Sequence, residues 1–170
     1  MILVGIGCNL AAPGFASPQD TAAAALGALP AAQIAVLRCS RWYQSQPVPP
    51  SDQPWYVNAV AAVETRLDPA ALLAALLAIE IRFGRQRGAP NAARTLDLDL
   101  LDYNGRQCET PRLVLPHPRL HERRFVLAPL AEIAPDWRHP RLAMSASELL
   151  LRLPPGQPVR PLGERHAPRG

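Results

Sequence analysis

The sequence predicts an α/β chain of the α+β kind. A β-α-β-β-α-β run builds an antiparallel sheet with helices packed on one face, followed by C-terminal additions. Three observations predict it. Short apolar or alternating runs alternate in order with longer runs of helical periodicity. Helix-start and helix-stop residues bracket the longer runs. The chain has 170 residues, 48% of them hydrophobic, enough for one domain with a proper core.

Each element has a local reason. Ile2–Gly7 is an apolar run ending in glycine, a central strand. In Ser17-Pro18-Gln19-Asp20, serine is the N-cap, proline takes the first helical position, and aspartate follows the cap by three. The alanine-rich run Thr21–Leu29 continues that helix to Pro30. Ile34–Gln44 alternates and reads as one strand, followed by the turn-rich SQPVPPSDQP. Trp55–Thr65 is the next strand. Asp68-Pro69 starts a second helix, apolar at Leu72, Leu73, Leu76, Ile79 and Phe83, and Gly84 stops it. Arg85–Arg94 is a polar loop, Leu96–Tyr103 a strand, and Asn104-Gly105 a hairpin turn. Together these make the ferredoxin-like order. Beyond it come a short strand at Leu113–Leu115, a helix over Arg124–Ile133 interrupted by Pro129, and a short helix at Ser147–Leu153. The expected organisation is a single domain over 1–153 and a poorly ordered Pro/Arg-rich tail over 154–170.

Composition excludes several classes. The N-terminal MILVGIGCNL is too short to span a membrane and has no basic region before it, so it reads as a buried strand and not a signal peptide. Cys8, Cys39 and Cys108 are odd in number, widely spaced and without a CxxC. That points to reduced thiols in the cytoplasm, against a disulfide framework or zinc site. The net charge is +4 and every basic side chain is arginine. Genomic base composition explains that bias, yet its consequence stands: without lysine there is no P-loop. Any phosphate chemistry must use arginine forks and metal ions.

The stretch RTLDLDLLD, Arg94–Asp102, puts carboxylates into an apolar strand, where an isolated charge is costly. Alternation places Asp97 and Asp99 on one face, with Leu98 and Leu100 on the other and Asp102 at opposite parity. A solvated polar face is the ordinary explanation of a lone DxD. Here Arg94 precedes the pair, and Arg85 and Arg87 open the same loop. Arginines beside paired carboxylates suit a triphosphate bridged by magnesium, which prefers a few carboxylates plus waters and phosphates.

ARTLDLDLL resembles the signature of the 6-hydroxymethyl-7,8-dihydropterin pyrophosphokinases, enzymes of folate biosynthesis. Four further segments match in order: GCNL at Gly7–Leu10, QPWYVNAV at Gln53–Val60, IEIRFGRQR at Ile79–Arg87, and LPHPRLHERRFVLAPLAEIAP at Leu115–Pro135. The resemblance implies a ferredoxin-like fold and transfer of pyrophosphate from ATP to the pterin alcohol, releasing AMP. It implies two magnesium ions on Asp97 and Asp99. Arg85 and Arg94 match loop arginines that engage phosphates and share the catalytic role with the aspartates. Glu80, Arg87, Leu100, His117 and Arg123 match further ATP-site positions. Gly7, Ser45, Val48, Tyr56, Asn58 and Phe125 match the pterin pocket, alongside Asp97 and Asp99. Ala92-Ala93, Pro90, Pro118 and Cys8 depart from commoner family residues.

Two rivals compete with this reading. A βαββαβ order in a basic chain also fits a nucleic-acid-binding module, but Ile2–Gly7 carries no stacking aromatic. A non-catalytic homologue would lose part of the constellation, yet Asp97, Asp99, Arg85, Arg94 and His117 are all present. The expected enzyme is therefore a cytoplasmic monomer acting on ATP and a pterin, without nucleic-acid or membrane partners.

Overall fold

The apolar run Ile2–Cys8 forms β1, the strand on which the sheet is built. The structure, a computed structural model, describes residues 1–85 and 93–163. Helix α1 (Pro18–Ala28) begins where Ser17 Oγ accepts the Asp20 amide at 3.1 Å. Strands β2 (Ala35–Cys39) and β3 (Tyr43–Ser45) follow, then β4 (Tyr56–Glu64). Helix α2 (Pro69–Arg82) starts with Asp68 Oδ1 accepting the Ala71 amide at 2.8 Å. It stops at Gly84, whose φ of +80° suits glycine and few other residues. Then come β5 (Asp97–Tyr103), β6 (Cys108–Glu109), β7 (Val114–Leu115), α3 (Arg124–Ile133), α4 (Ala146–Arg152) and β8 (Val159–Pro161).

The main sheet runs β5-β1-β4-β3-β8, with β2 also paired to β4, and every pairing is antiparallel. One face carries Val4, Ile6, Leu98 and Leu100 and packs on Leu72, Leu76 and Ile79 of α2 and Ala22 and Ala25 of α1. Full burial of each such large side chain contributes about 1.5–3 kcal/mol. The opposite face carries Leu3, Val60 and Leu101 and packs on Val126, Leu127 and Leu130 of α3 and Leu149 of α4. The first two helices thus lie on one face as expected, and the C-terminal additions cover part of the other. The remainder of that second face is left open. Pro129 lies inside α3, where it removes the bond its N–H would have made to the Phe125 carbonyl.

Four local expectations are corrected. The strand expected over Ile34–Gln44 breaks into β2 and β3, because Ser40 Oγ accepts the Val60 amide at 3.1 Å in place of a ladder partner. Asp102 does not keep opposite parity. A bulge pairs Leu3 with Asp102 and Val4 with Leu100, which turns Asp102 inward. There its carboxylate accepts Trp137 Nε1–H at 2.8 Å and the Gly105 amide at 3.1 Å. Asn104 and Gly105 take the positive φ values of a tight turn, 52° and 70°, but β6 pairs with β7, not with β5. Finally, residue 153 is not where the chain leaves the fold. β8 pairs with β3 in the register Ser45↔Val159, because β3 otherwise exposes an unpaired edge. Residues 164–170 lie outside those described.

Candidate active site

Register alone gathers the candidate residues. Asp97 pairs with Gly7, Gly7 with Asn58, and Asn58 with Tyr43, so one row crosses β5, β1, β4 and β3. Asp99 pairs with Gly5 in the next row. Directly paired residues project to the same face. Leu98 points the other way and is 2% exposed. The alternation read from the sequence is therefore what aims both carboxylates at the open face.

The carboxylates are surrounded by arginine. Arg94 Nη1 donates to Asp97 Oδ2 at 2.7 Å, and Arg85 Nη1 lies 3.0 Å from Asp97 Oδ1. Arg123 Nη1 donates to Asp99 Oδ2 at 3.2 Å. Burial and the charge of Asp99 nevertheless push Asp97 above the usual carboxylate range, against the pull of Arg94, Arg85 and Arg123. Two half-buried carboxylates this close still call for more positive charge. Among the described residues no three or more His, Cys, Asp or Glu side chains form a ready-made metal cage. Two carboxylates facing open space suit magnesium, which completes its shell with water and phosphate oxygens. The donor set therefore fits that metal.

Glu80 supports the pair from behind. Its side chain on α2 is 1% exposed, and Oε1 accepts the Leu98 amide at 2.6 Å, between the two aspartates. Its Oε2 faces the Arg85 guanidinium in an ion pair, and Arg85 bridges onward to Asp97. Burial pushes the Glu80 carboxyl up to about 7, despite the Leu98 amide and Arg85. His117 sits beside Asp99, with Nε2 3.9 Å from Oδ2. Burial and Arg123 hold its pKa down to about 4. Its Nδ1 accepts the Arg119 amide at 3.1 Å, so the neutral ring carries its proton on Nε2.

A cavity of about 390 Å³ opens along the same face. Gly7, Ser45, Val48, Tyr56, Asn58 and Phe125 all line it, and so do Asp97, Asp99, Arg94 and Arg123. Asn58 is 4% exposed, and its Nδ2 donates to Ser45 Oγ at 2.8 Å. A Cβ on Gly7 would lie 3.4 Å from Asn58 Oδ1, so glycine keeps the floor beside that amide flat. The Arg123 guanidinium stands 5.6 Å from the Phe125 ring centroid, so one arginine touches both halves of the site. A flat heteroaromatic ring needs such faces, with amide groups at its polar edge.

Not every candidate lines the cavity. Leu100 is 4% exposed and packs in the core against α1 and α2. Glu80, Arg85 and His117 flank the carboxylates and do not line the cavity wall. Arg87 lies outside the described residues, with the departures Pro90 and Ala92. Arg119, given no role from sequence, lines the cavity. Asn9, given no role from sequence, holds the Arg94 backbone. It is 1% exposed, its Oδ1 accepts the Arg94 amide at 2.8 Å, and its Nδ2 donates to the Pro54 carbonyl at 3.1 Å. The Asn9 and Leu10 amides donate to the Arg94 carbonyl at 3.0 and 3.1 Å. The signal was present: a polar amide next to a buried strand, inside the GCNL segment, needs partners.

Comparison with known proteins identifies the family. Residues 3–135 match the family model described as 7,8-dihydro-6-hydroxymethylpterin-pyrophosphokinase. A Synechocystis sp. protein named 2-amino-4-hydroxy-6-hydroxymethyldihydropteridine pyrophosphokinase is 50% identical over 119 residues, 70% of this chain and 60% of that protein. A Pseudomonas aeruginosa protein of the same name is 44% identical over 142 residues, 82% of this chain and 83% of its own length. Among solved structures, a Plasmodium falciparum HPPK-DHPS wild-type structure with SDX-DHP superimposes with a TM-score of 0.62 at 14% identity, covering 88% of this chain and 43% of that chain. That likeness concerns the fold alone. The match over residues 3–135 takes in all five motifs, and the chain belongs to the 7,8-dihydro-6-hydroxymethylpterin-pyrophosphokinase family.

Proposed function

We propose that this protein transfers pyrophosphate from ATP to 6-hydroxymethyl-7,8-dihydropterin, giving AMP and the pterin diphosphate for folate biosynthesis. One observation carries the reading: a carboxylate pair ringed by arginines stands at the edge of a cavity that also holds a buried amide and an aromatic wall. The first part suits a metal-bound triphosphate and the second a flat polar ring.

Asp97 and Asp99 would hold two magnesium ions, which when bound supply electrostatic neutralisation of the phosphates. Arg85, Arg94 and Arg123 each have guanidinium N–H groups beyond those spent on the aspartates, and these engage phosphate oxygens. The Nε2–H of neutral His117 is a further donor on the same side. Asn58 and Ser45 orient the ring edge, and Phe125 and Tyr56 supply its stacking faces. The hydroxymethyl oxygen then bonds to the β-phosphorus in line as the bond from that phosphorus to the α-phosphate oxygen breaks; AMP leaves with that oxygen and the hydroxyl proton is released to solvent. The chain contributes alignment and charge, which is what phosphoryl transfer demands. The protein would act as a monomer. Cys8, Cys39 and Cys108 are free thiols, which supports a cytoplasmic setting.

The test is AMP formation by the purified protein. AMP and pterin diphosphate should appear in equal amounts, and only with ATP, magnesium and the pterin alcohol together. No pterin-dependent AMP in that complete mixture refutes the proposal.

A further inference from the structure

Residues 153–161 lie beyond the stretch that matches the family, residues 3–135, yet the first five of them reach the cavity. Leu153, Pro154, Pro155, Gly156 and Gln157 line it. The sheet order puts β5 with the carboxylates at one edge and β8 at the other. Four strand spacings separate them, about 19 Å at 4.8 Å each. This segment therefore bounds the end of the cavity remote from the reacting phosphate.

The segment is tied to both walls of the proposed ring site. On one side, Arg124 Nη2 donates to the Leu153 carbonyl at 3.3 Å and the Pro154 carbonyl at 3.4 Å. Arg124 is the neighbour of Phe125. On the other side, Gln157 Nε2 donates to the Gln46 carbonyl at 2.9 Å, and the Gln46 amide donates to the Pro158 carbonyl at 3.4 Å. Gln46 lies between Ser45 and Val48, both on the cavity wall. β8 then continues the ladder along β3, Arg160 Nη2 donates to Gln44 Oε1 at 3.3 Å, and the Leu162 amide donates to the Trp42 carbonyl at 2.8 Å.

We propose that the C-terminal strap Leu153–Pro161 is a specificity wall of the ring-binding pocket, with Gln157 as the positioning residue that sets the Ser45–Val48 segment. The inference rests on the pyrophosphokinase reading given above. A loop of turn residues has no ladder of its own, and Gln46-Pro47-Val48 borrows its order from the strap. The strap also limits the room beyond the ring edge.

The experiment compares full-length wild type with Gln157→Ala and Gly156→Leu. It measures KM for the pterin alcohol, KM for ATP, kcat and thermal unfolding. A Cβ on Gly156 meets no protein atom within 4 Å, so a side chain can start there without a backbone clash, and the melting temperature checks the rest of the leucine. Gln157→Ala should raise the pterin KM roughly twofold to tenfold, the range of one neutral hydrogen bond. Gly156→Leu should raise it at least as much, with an unchanged melting temperature. KM for ATP and kcat should stay within twofold of wild type for both. A merely structural strap would shift both KM values together, and that result, or a lower melting temperature for Gly156→Leu, overturns the proposal. So does a pterin KM within twofold of wild type in both variants. The wild-type control separates the two ideas: if wild type releases no pterin-dependent AMP, the reaction assignment fails. Fluorescence titration of the three proteins with the pterin alcohol then tests the wall by Kd on the same criteria.

Discussion

Removing Glu80 should separate stability from catalysis in a predictable way. The residue is 1% exposed, and its Oε1 takes the Leu98 amide at 2.6 Å. That amide points away from β1, on the outer side of the edge strand β5, where no other strand can satisfy it. Glu80→Ala leaves the amide unpaired and strands Arg85 with Asp97 alone. Losing a charge-assisted bond costs about 1.5–3 kcal/mol. Breaking a buried ion pair from one side costs about 3–5 kcal/mol in all. For a chain of this size, 1 kcal/mol is worth roughly 2–4 °C, so the melting temperature should fall by about 10 °C. Glu80→Gln behaves differently. The amide oxygen still accepts from Leu98, and the burial that pushes the carboxyl up to about 7 no longer opposes a charge. Stability should stay within about 1 kcal/mol of wild type, since relief of desolvation offsets the lost attraction to half-buried Arg85. Catalysis should still suffer, by up to about one decade or 1.4 kcal/mol, because Arg85 loses the anchor that holds it toward Asp97. Thermal unfolding and steady-state AMP release measure the two effects. An alanine variant that melts and turns over like wild type refutes the argument. So does a glutamine variant as unstable as alanine.

Three further outcomes follow from the same geometry. Asp97→Asn or Asp99→Asn should lower kcat by two or more decades, about 2.7 kcal/mol or more. The melting temperature in metal-free buffer should not fall, since burial and Asp99 already push Asp97 toward its neutral form; near-normal turnover in either variant sinks the two-metal reading. Arg94→Ala should cost about one to two decades in kcat/KM, Arg94→Lys should recover only part, and Arg119→Ala should cost less than threefold, since a lost charged contact is worth about 1.5–3 kcal/mol; equal activities for Arg94→Ala and wild type contradict it. His139 is 3% exposed, and burial followed by His121 holds it below its ordinary 6.5, with Asp102 pulling the other way and Arg141 adding to the depression. The unfolded chain therefore binds a proton that the native state refuses, so stability is full above about pH 6.5 and declines as pH falls through it. His139→Asn keeps an acceptor for the Arg141 and Leu142 amides and should flatten that decline; melting temperatures from about pH 7.5 to 5 with identical slopes count against it.

The parts of this protein that were legible in its sequence are those fixed by short-range rules. The Ser17 and Asp68 caps and the Gly84 stop each depend on a few neighbouring residues, and each stands where expected. The aspartate pair was legible because period-two alternation is a local property of a strand. What was not legible depends on partners far along the chain. Asp102 joins the inner face only because β1 meets β5 through a bulge, and it is satisfied by Trp137, 35 residues away. The break at Ser40 is caused by the Val60 amide, and the strand character of Val159–Pro161 by the free edge of β3. A Pro- and Arg-rich segment has no periodicity of its own, so only the edge it completes identifies it. Asn9 falls between the two cases: its burial is readable beside β1, but Arg94 and Pro54 as its partners are not.

The sheet order explains why motifs scattered over more than a hundred residues serve one site. With β5, β1, β4 and β3 adjacent, Gly7, Asn58 and Asp97 become neighbours in one row, although they are remote in the chain. Two strand spacings, about 10 Å, separate the column of Asp97 from that of Asn58. Under the proposed function, that span would suit a bicyclic ring whose polar edge met the amide and whose substituent reached the phosphate. Glycine on the strand between them leaves the floor low enough for the ring to lie across it. The helices on this face pack on Leu3, Val60, Ala62 and Leu101, while Gly5 and Gly7 line the cavity. One consequence separates this account from a simple list of contacts. Gly7→Val fills the space between carboxylate and amide, where a Cβ alone already reaches 3.4 Å from Asn58 Oδ1. It should raise the pterin KM by at least a decade while leaving ATP binding within threefold, because Arg94 and Arg123 are held by Asp97 and Asp99 and not by residue 7. ATP-analogue and pterin titrations read the two affinities separately, and equal loss of both shows that the floor does not set the ring's position.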